Sequence, residues 1–378
     1  MVHDFVPPEV DTGQNVPNSL KARAYLRRRP TVNGGSASWP PLSTRAWLVR
    51  LSYHVTMNFV RYSLYVSIVL ENRPNTSRTP IVRLVTYNIQ YSRGKDDQFD
   101  IARVVDAVKD ADIIALQEVE RFWLRTGMVD QPAEIAALLP QHYWVFAPFF
   151  DMHAGAGEET EARDNRRRQF GPMLLSKLPI QWSRSHHFRK IATFNRFNMD
   201  TGALETLVET STGPIRFFSL HLSALDVRER LLQTESLLAI NERARLDGPP
   251  WTGPPVTGGD TDWAADSPPT QTSPDAVLMG DFNSEPHDAV YERLVGPKDE
   301  YSRRVHRVDT FVDTWTIVHD DEIGEATWIR PPGYPGNSDQ RVDYCFVSPA
   351  LVGRVLNAWV DSEAQGSDHQ PYWVEIDF

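Results

Sequence analysis

Met279-Gly280-Asp281-Phe282-Asn283-Ser284-Glu285-Pro286 is the stretch on which the reading of this chain turns. The apolar run Ala276-Val277-Leu278-Met279 before it predicts a buried strand, and Gly280 ends the run. Asp281 and Asn283 then follow as alternate residues, which an extended strand end would point to one side of a sheet edge. Ligand and catalytic groups in open α/β sheets gather at such strand ends. A carboxylate able to move protons, beside a carboxamide able to donate to a phosphate oxygen, suits phosphoester hydrolysis. On its own the tripeptide reads equally well as a plain turn.

Its company decides the matter. Four more segments place polar residues at the end of an apolar strand: Thr86-Tyr87-Asn88-Ile89-Gln90, Leu116-Gln117-Glu118-Val119, Ser219-Leu220-His221-Leu222-Ser223 and Ser367-Asp368-His369-Gln370-Pro371. A further one, Arg341-Val342-Asp343-Tyr344, sets an acid inside an apolar strand. An unpaired buried carboxylate is costly, so Asp343 needs a partner such as a histidine. Glu118 and Asp368, with Asn88 and Asp281, supply hard oxygen donors. Without cysteine among them, such a set selects Mg²⁺, Mn²⁺ or Ca²⁺ over zinc.

The 378 residues and 41% hydrophobic content are enough for a sizeable core. The net charge of −11 is unevenly spread, with a basic residue range 1–80 and a strongly acidic remainder. An acidic body binds nucleic acid poorly without a specific site, but it suits one that gathers divalent cations. A single cysteine, Cys345, excludes an intrachain disulfide and fits a reducing compartment, so a cytoplasmic location is the expectation; separately, a monomer is expected. Residues 1–80 read as an extension, largely disordered, with a more apolar amphipathic segment at 46–70. Arg50, His54, Asn58 and Arg61 interrupt that segment, which falls short of a spanning helix and could lie on a membrane surface as a helix.

Beyond residue 80 the periodicities predict strands over 81–87, 113–116, 143–147, 173–175, 203–209, 215–222, 341–347, 355–360 and 372–376. Helices are expected after the cap Asp100, over 132–139, 226–246, 289–295 and 310–318. Charged residues 151–169 read as a loop, with Arg166-Arg167-Arg168 solvated, and 247–274 as a surface insertion. His186 and His187 read as exposed, and Trp315 and Trp328 as core.

The ordered set of segments resembles the endonuclease/exonuclease/phosphatase (DNase I-like) superfamily over 82–378. The anchors are Thr-Tyr-Asn at 86–88, Gln-Glu at 117–118, Gly-Asp-Phe-Asn at 280–283, Arg-Val-Asp-Tyr at 341–344 and Ser-Asp-His at 367–369. The resemblance implies a four-layer α/β sandwich, two mixed sheets face to face with helices outside, and an active site at one edge. It implies Glu118 as the principal metal ligand, helped by Asn88 and Asp368, with Mg²⁺ the expected ion and no organic cofactor. His369 oriented by Asp343 would move the proton of water, His221 would meet the scissile phosphate, and Asp281 and Asn283 would orient the nucleophile and bind phosphate. A metal-dependent phosphodiesterase follows, with nucleic acid the favoured substrate. The rivals are a sphingomyelinase-type enzyme acting on membrane lipid and an inactive interaction scaffold. Abasic-site endonucleases usually carry Tyr where His221 stands, and Arg-Val-Asp-Tyr-Cys departs from the Trp-Cys-Asp-Arg signature of the inositol polyphosphate 5-phosphatases.

Overall fold

The computed structural model describes residues 23–25, 48–57, 60–69, 80–154, 165–254, 271–336 and 338–378. The chain divides into two units, Met1–Arg78 and Thr79–Phe378. The first contains β1 (Arg23–Tyr25), β2 (Leu48–Met57) and β3 (Val60–Val69), paired antiparallel in the order β1-β3-β2. A helix over 46–70 is thus replaced by a strand pair. The reason is legible: Arg50, Ser52, His54 and Thr56 alternate with apolar neighbours, a period of two. The rest of the expectation for 1–80 falls outside the described residues, as does most of the 247–274 insertion.

In the second unit the strands are, in chain order, β4 (Ile81–Asn88), β5 (Ile113–Arg121), β6 (Tyr143–Phe146), β7 (Phe150–His153), β8 (Arg167–Ser176), β9 (Ile180–His187), β10 (Gly202–Thr210), β11 (Gly213–His221), β12 (Ala276–Asp281), β13 (Val312–Asp313), β14 (Asp343–Val347), β15 (Val355–Val360) and β16 (Tyr372–Asp377). One sheet runs β15-β16-β4-β5-β8-β6, with β7 beside β8, and the other runs β13-β14-β12-β11-β10-β9. Each sheet is antiparallel except for one parallel pair, β4 with β5 and β11 with β12. The C-terminal ends of β4, β11 and β12 carry Asn88, His221 and Asp281, and Glu118 lies where β5 runs past its parallel pairing with β4, so the two parallel pairs bring these polar groups together.

Strand alternation builds the layers. Leu84, Ile113 and Ala115 of one sheet pack with Phe217, Val277 and Met279 of the other in a shared core. The intervening residues Val85, Ile114 and Leu116 face outward onto α1 (Ile101–Val108) and α2 (Gln131–Leu138). On the opposite side Phe218, Leu220 and Leu278 pack under α3 (Val227–Asp247) and α4 (Ala289–Val295). The result is a four-layer α/β sandwich with two mixed sheets at its centre. Caps start the helices: Asp100 accepts from Arg103 N, Asp130 from Ala133 N and Asp226 from Arg228 N.

Several boundaries differ from the sequence reading. The 151–169 loop is shorter than expected, because β7 and the start of β8 pair there and Arg167 meets Asp151 at 2.7 Å. The helix over 310–318 is β13 followed by α5 (Thr314–Val318), capped by Asp313 through Trp315 N. Residues 341–342 precede β14 instead of opening it. His186 is not exposed: it lies in β9 and pairs with buried Glu205 at 2.8 Å, which also holds the fully buried Arg216.

Gly280 sits where β12 lies against β11. A Cβ there would come within 2.0 Å of the Leu220 carbonyl oxygen. Gly280→Ala is expected to cost at least about 1–3 kcal/mol through overpacking, read as a lowered denaturant midpoint. An unchanged midpoint would mean that the two strands can part at no cost.

Candidate active site

Six strand ends and one short strap form a single cavity of about 550 Å³ at the edge of the sandwich. Glu118 reaches it through a β-bulge between Leu116 and Val119, with φ 61° at Glu118 itself. A left-handed non-glycine residue costs of order 1–3 kcal/mol and is kept only where its surroundings enforce it. Here the bulge turns the carboxylate out of the strand and into the cavity. Behind it, buried Gln117 accepts from Thr86 Oγ1 and donates to Ser219 Oγ at 3.1 Å, a bond that crosses from sheet to sheet.

Asn88 ties the two sheets together at the site. Its Nδ2 donates to Glu118 Oε1 at 3.1 Å and to Asp281 Oδ2 at 2.9 Å, while its Oδ1 accepts from Gln90 N. Asn88 therefore holds two carboxylates side by side. Asp281 is buried at the end of β12, and its Oδ1 accepts Asn283 N at 2.8 Å. Asn283 has φ 48°, so the chain turns here and does not run on extended as alternation alone suggests. The turn still delivers the amide: Asn283 Nδ2 lies 3.1 Å from His221 Nε2 and donates to Leu222 O. His221 Nε2 also lies 3.5 Å from Asp281 Oδ2.

The buried acid in the apolar segment finds its histidine. Asp343 Oδ2 is 2.8 Å from His369 Nδ1, and His369 Nε2 is 3.8 Å from Asp281. Burial pushes the Asp343 carboxyl up to about 6 against the pull of the imidazole. Burial alone would lower His369, but the Asp343 carboxylate outweighs it and lifts the ring to about 10. Glu118 is raised by burial, opposed by His221 and the Asn88 bond.

Asp368 stands beside this pair, with Oδ2 accepting from Gln90 Nε2 at 3.0 Å and Trp328 Nε1 at 3.1 Å. Neither donor had a role in the sequence reading. Gln90 belongs to the run Gln90-Tyr91-Ser92, all three at positive φ, which turns it back over the cavity. Trp328, read as core, lies in a segment without periodicity that straps the site. Thr327 Oγ1 accepts Val342 N and Asp343 N, and Ile329 N donates to Asp368 O. Trp315 is core, as read.

The cavity thus collects Glu118, Asp281, Asp368 and the Asp343–His369 pair, with His221 and Asn283 on the facing wall. All eight residues singled out from the sequence meet there or in its supporting bonds. This donor set fits a hard divalent cation: Glu118 accepts a single hydrogen bond among the described residues, and converging carboxylates repel one another unless a cation offsets them. Asp281, Asp343 and His369 also bring one ligand atom each within 4.8 Å of one another. The Nδ1 atom of that histidine is committed to Asp343.

A two-sheet sandwich whose strand ends converge in carboxylates, an amide and imidazoles defines a hydrolase acting on phosphoric esters. The chain belongs to the endonuclease/exonuclease/phosphatase family, whose model matches residues 85–369. Its fold is similar to that of an endonuclease/exonuclease/phosphatase from Beutenbergia cavernae, at 20% identity and TM-score 0.53 over 79% of this chain and 72% of that one. The Bacteroides vulgatus endonuclease/exonuclease/phosphatase aligns at 17% identity and TM-score 0.52 over 79% and 99%. A Leptotrichia buccalis family protein gives 18% identity and TM-score 0.51 over 79% and 100%. No curated protein matches the sequence.

Proposed function

We propose that the chain is a divalent-metal-dependent phosphodiesterase acting on nucleic acid. The observation that carries the reading is the convergence of Asn88, Glu118 and Asp368 from one sheet with His221, Asp281 and Asn283 from the other on one cavity. Glu118 and Asp368, with Asn88 beside them, would hold Mg²⁺, with Mn²⁺ or Ca²⁺ as alternatives. When bound, such an ion supplies positive charge against the developing charge of the phosphoryl oxygens. His221, with Asn283 Nδ2 3.1 Å from its Nε2, lines the cavity wall and would meet phosphate oxygens. Asp343 fixes His369 at Nδ1, so proton transfer to or from water falls to Nε2, which lies near Asp281. Nucleic acid is favoured because Phe197, Trp328 and Tyr334 line the cavity and offer π faces to bases.

A second reading, a phospholipid phosphodiesterase, is favoured by one surface. Phe194 is fully exposed and Phe197 is 76% exposed, on a loop that also carries Arg189, Lys190 and Arg196. Among the described residues no helix is long and apolar enough to cross a membrane. Rates on single-stranded DNA, duplex DNA, RNA and sphingomyelin vesicles, each with Mg²⁺ and with Mn²⁺, separate the two. Cleavage of a nucleic acid with sphingomyelin untouched is the expected result. The reverse pattern would transfer the assignment to the lipid.

A further inference from the structure

One guanidinium borders the acidic cavity. Among the described residues that line it, Arg230 is the only Lys or Arg, against Glu118, Asp281, Glu285, Asp288 and Asp368. Arg230 is half-buried, whereas the two fully buried arginines among the described residues are ion-paired: Arg216 with Glu205 and Arg341 with Asp313. Arg230 makes no ion pair among the described residues; Asp288 and Asp281 act on its charge from further off. Its Nη1 donates to Ser223 O at 3.1 Å, and its Nε, like that of Arg341, is buried with no acceptor. A guanidinium N–H left without an acceptor away from water is costly, and its fork suits a phosphate bidentately.

The surroundings give that phosphate a place. Arg230 is tied to Ser223, two residues past His221, so it borders the scissile position without sharing the Asn283 contact. The same wall is formed by Phe197, Asn198 and Met199. That loop is held by the helix that carries Arg230: Ile191 N and Asn198 Nδ2 bond to the buried Glu229 carboxylate at 2.8 and 2.9 Å. Gln233 Nε2 donates to Arg189 O from one turn further along. The cation and the loop that carries Phe197 are therefore joined to one helix before any ligand arrives, which lowers the ordering cost of binding.

We infer that Arg230 and Phe197 form a subsite for the nucleotide next to the scissile bond, Arg230 taking its phosphate and Phe197 stacking on its base. The preferred substrate is then a strand with unpaired bases and more than one phosphate. The inference rests on the nuclease reading above. It is tested with two single-stranded substrates that share one scissile linkage, a dinucleotide with one phosphate and a trinucleotide with two, in the presence of Mn²⁺. The wild-type KM is expected to be about tenfold lower for the trinucleotide. Arg230→Ala should collapse that ratio to near one and Arg230→Lys should restore part of it, with melting temperatures tracking the fold. Phe197→Ala should raise the trinucleotide KM by about tenfold. A wild type that cleaves both equally well, or an Arg230→Ala variant that keeps the ratio, overturns the subsite alone. A wild type that cleaves neither while hydrolysing sphingomyelin overturns the nuclease reading and the subsite together.

Discussion

His369→Ala is expected to lower kcat/KM by about 10²–10⁴-fold, the usual range for loss of a positioned acid–base group. The ring is buried, its Nδ1 is bound to Asp343 at 2.8 Å, and Nε2 is the nitrogen left for the reaction. The substitution also strands the fully buried Asp343 carboxylate, so lost activity alone could reflect a damaged fold. Asp343→Asn separates the effects. It keeps the shape of the side chain and leaves the ring in place, but removes the charge that sets its tautomer. A fall in kcat of at least about tenfold with a small change in melting temperature is expected from it. If His369→Ala keeps activity within tenfold of wild type while folded, another group moves the proton.

The second large effect is on stability. Asp313→Ala is expected to cost about 3–5 kcal/mol, because it leaves a buried charge without its partner. Asp313 Oδ1 accepts Arg341 Nη2 at 2.8 Å and Trp315 N at 3.0 Å, and Oδ2 accepts Tyr291 OH at 2.9 Å. Arg341 is 3% exposed, its guanidinium centred 4.6 Å from the Tyr344 ring. Burial opposes its charge, but Asp313 outweighs burial and holds the guanidinium protonated. The pair also anchors the chain two residues before Asp343, so activity should fall with stability. Equilibrium denaturation reads the first effect directly. A loss below about 1 kcal/mol would mean that Arg341 reaches another acceptor when Asp313 is gone.

Much of this was legible in the sequence because strand ends carry both structure and chemistry. The run 276–279 is buried and β12 follows from it; Asp343 in an apolar segment required a histidine, and His369 is that histidine. What stayed hidden was set by backbone geometry or by tertiary contact. The bulge at Glu118 and the turned Asn283 depend on positive φ at residues with no glycine to announce it. Trp328 and Gln90 act through their donors to Asp368, from segments with no period to place them. Arg230 looked like an ordinary member of a helix; only its place as the one Lys or Arg among the described residues lining the cavity distinguishes it. β9 was missed because His186 and His187 read as surface residues, whereas Glu205 pairs with His186 and the strand lies at the sheet edge beside β10.

Glu118 is proposed to hold a divalent cation on which phosphodiester cleavage depends. This is tested most directly by Mn²⁺ titration of the chelator-treated protein, followed by electron paramagnetic resonance, beside turnover of single-stranded DNA in the same samples. Wild-type protein should bind Mn²⁺ and regain turnover in parallel, and Glu118→Ala should lose both with an unchanged melting temperature. Turnover that persists in chelator, or Glu118→Ala protein that binds Mn²⁺ as tightly as wild type, would contradict the account.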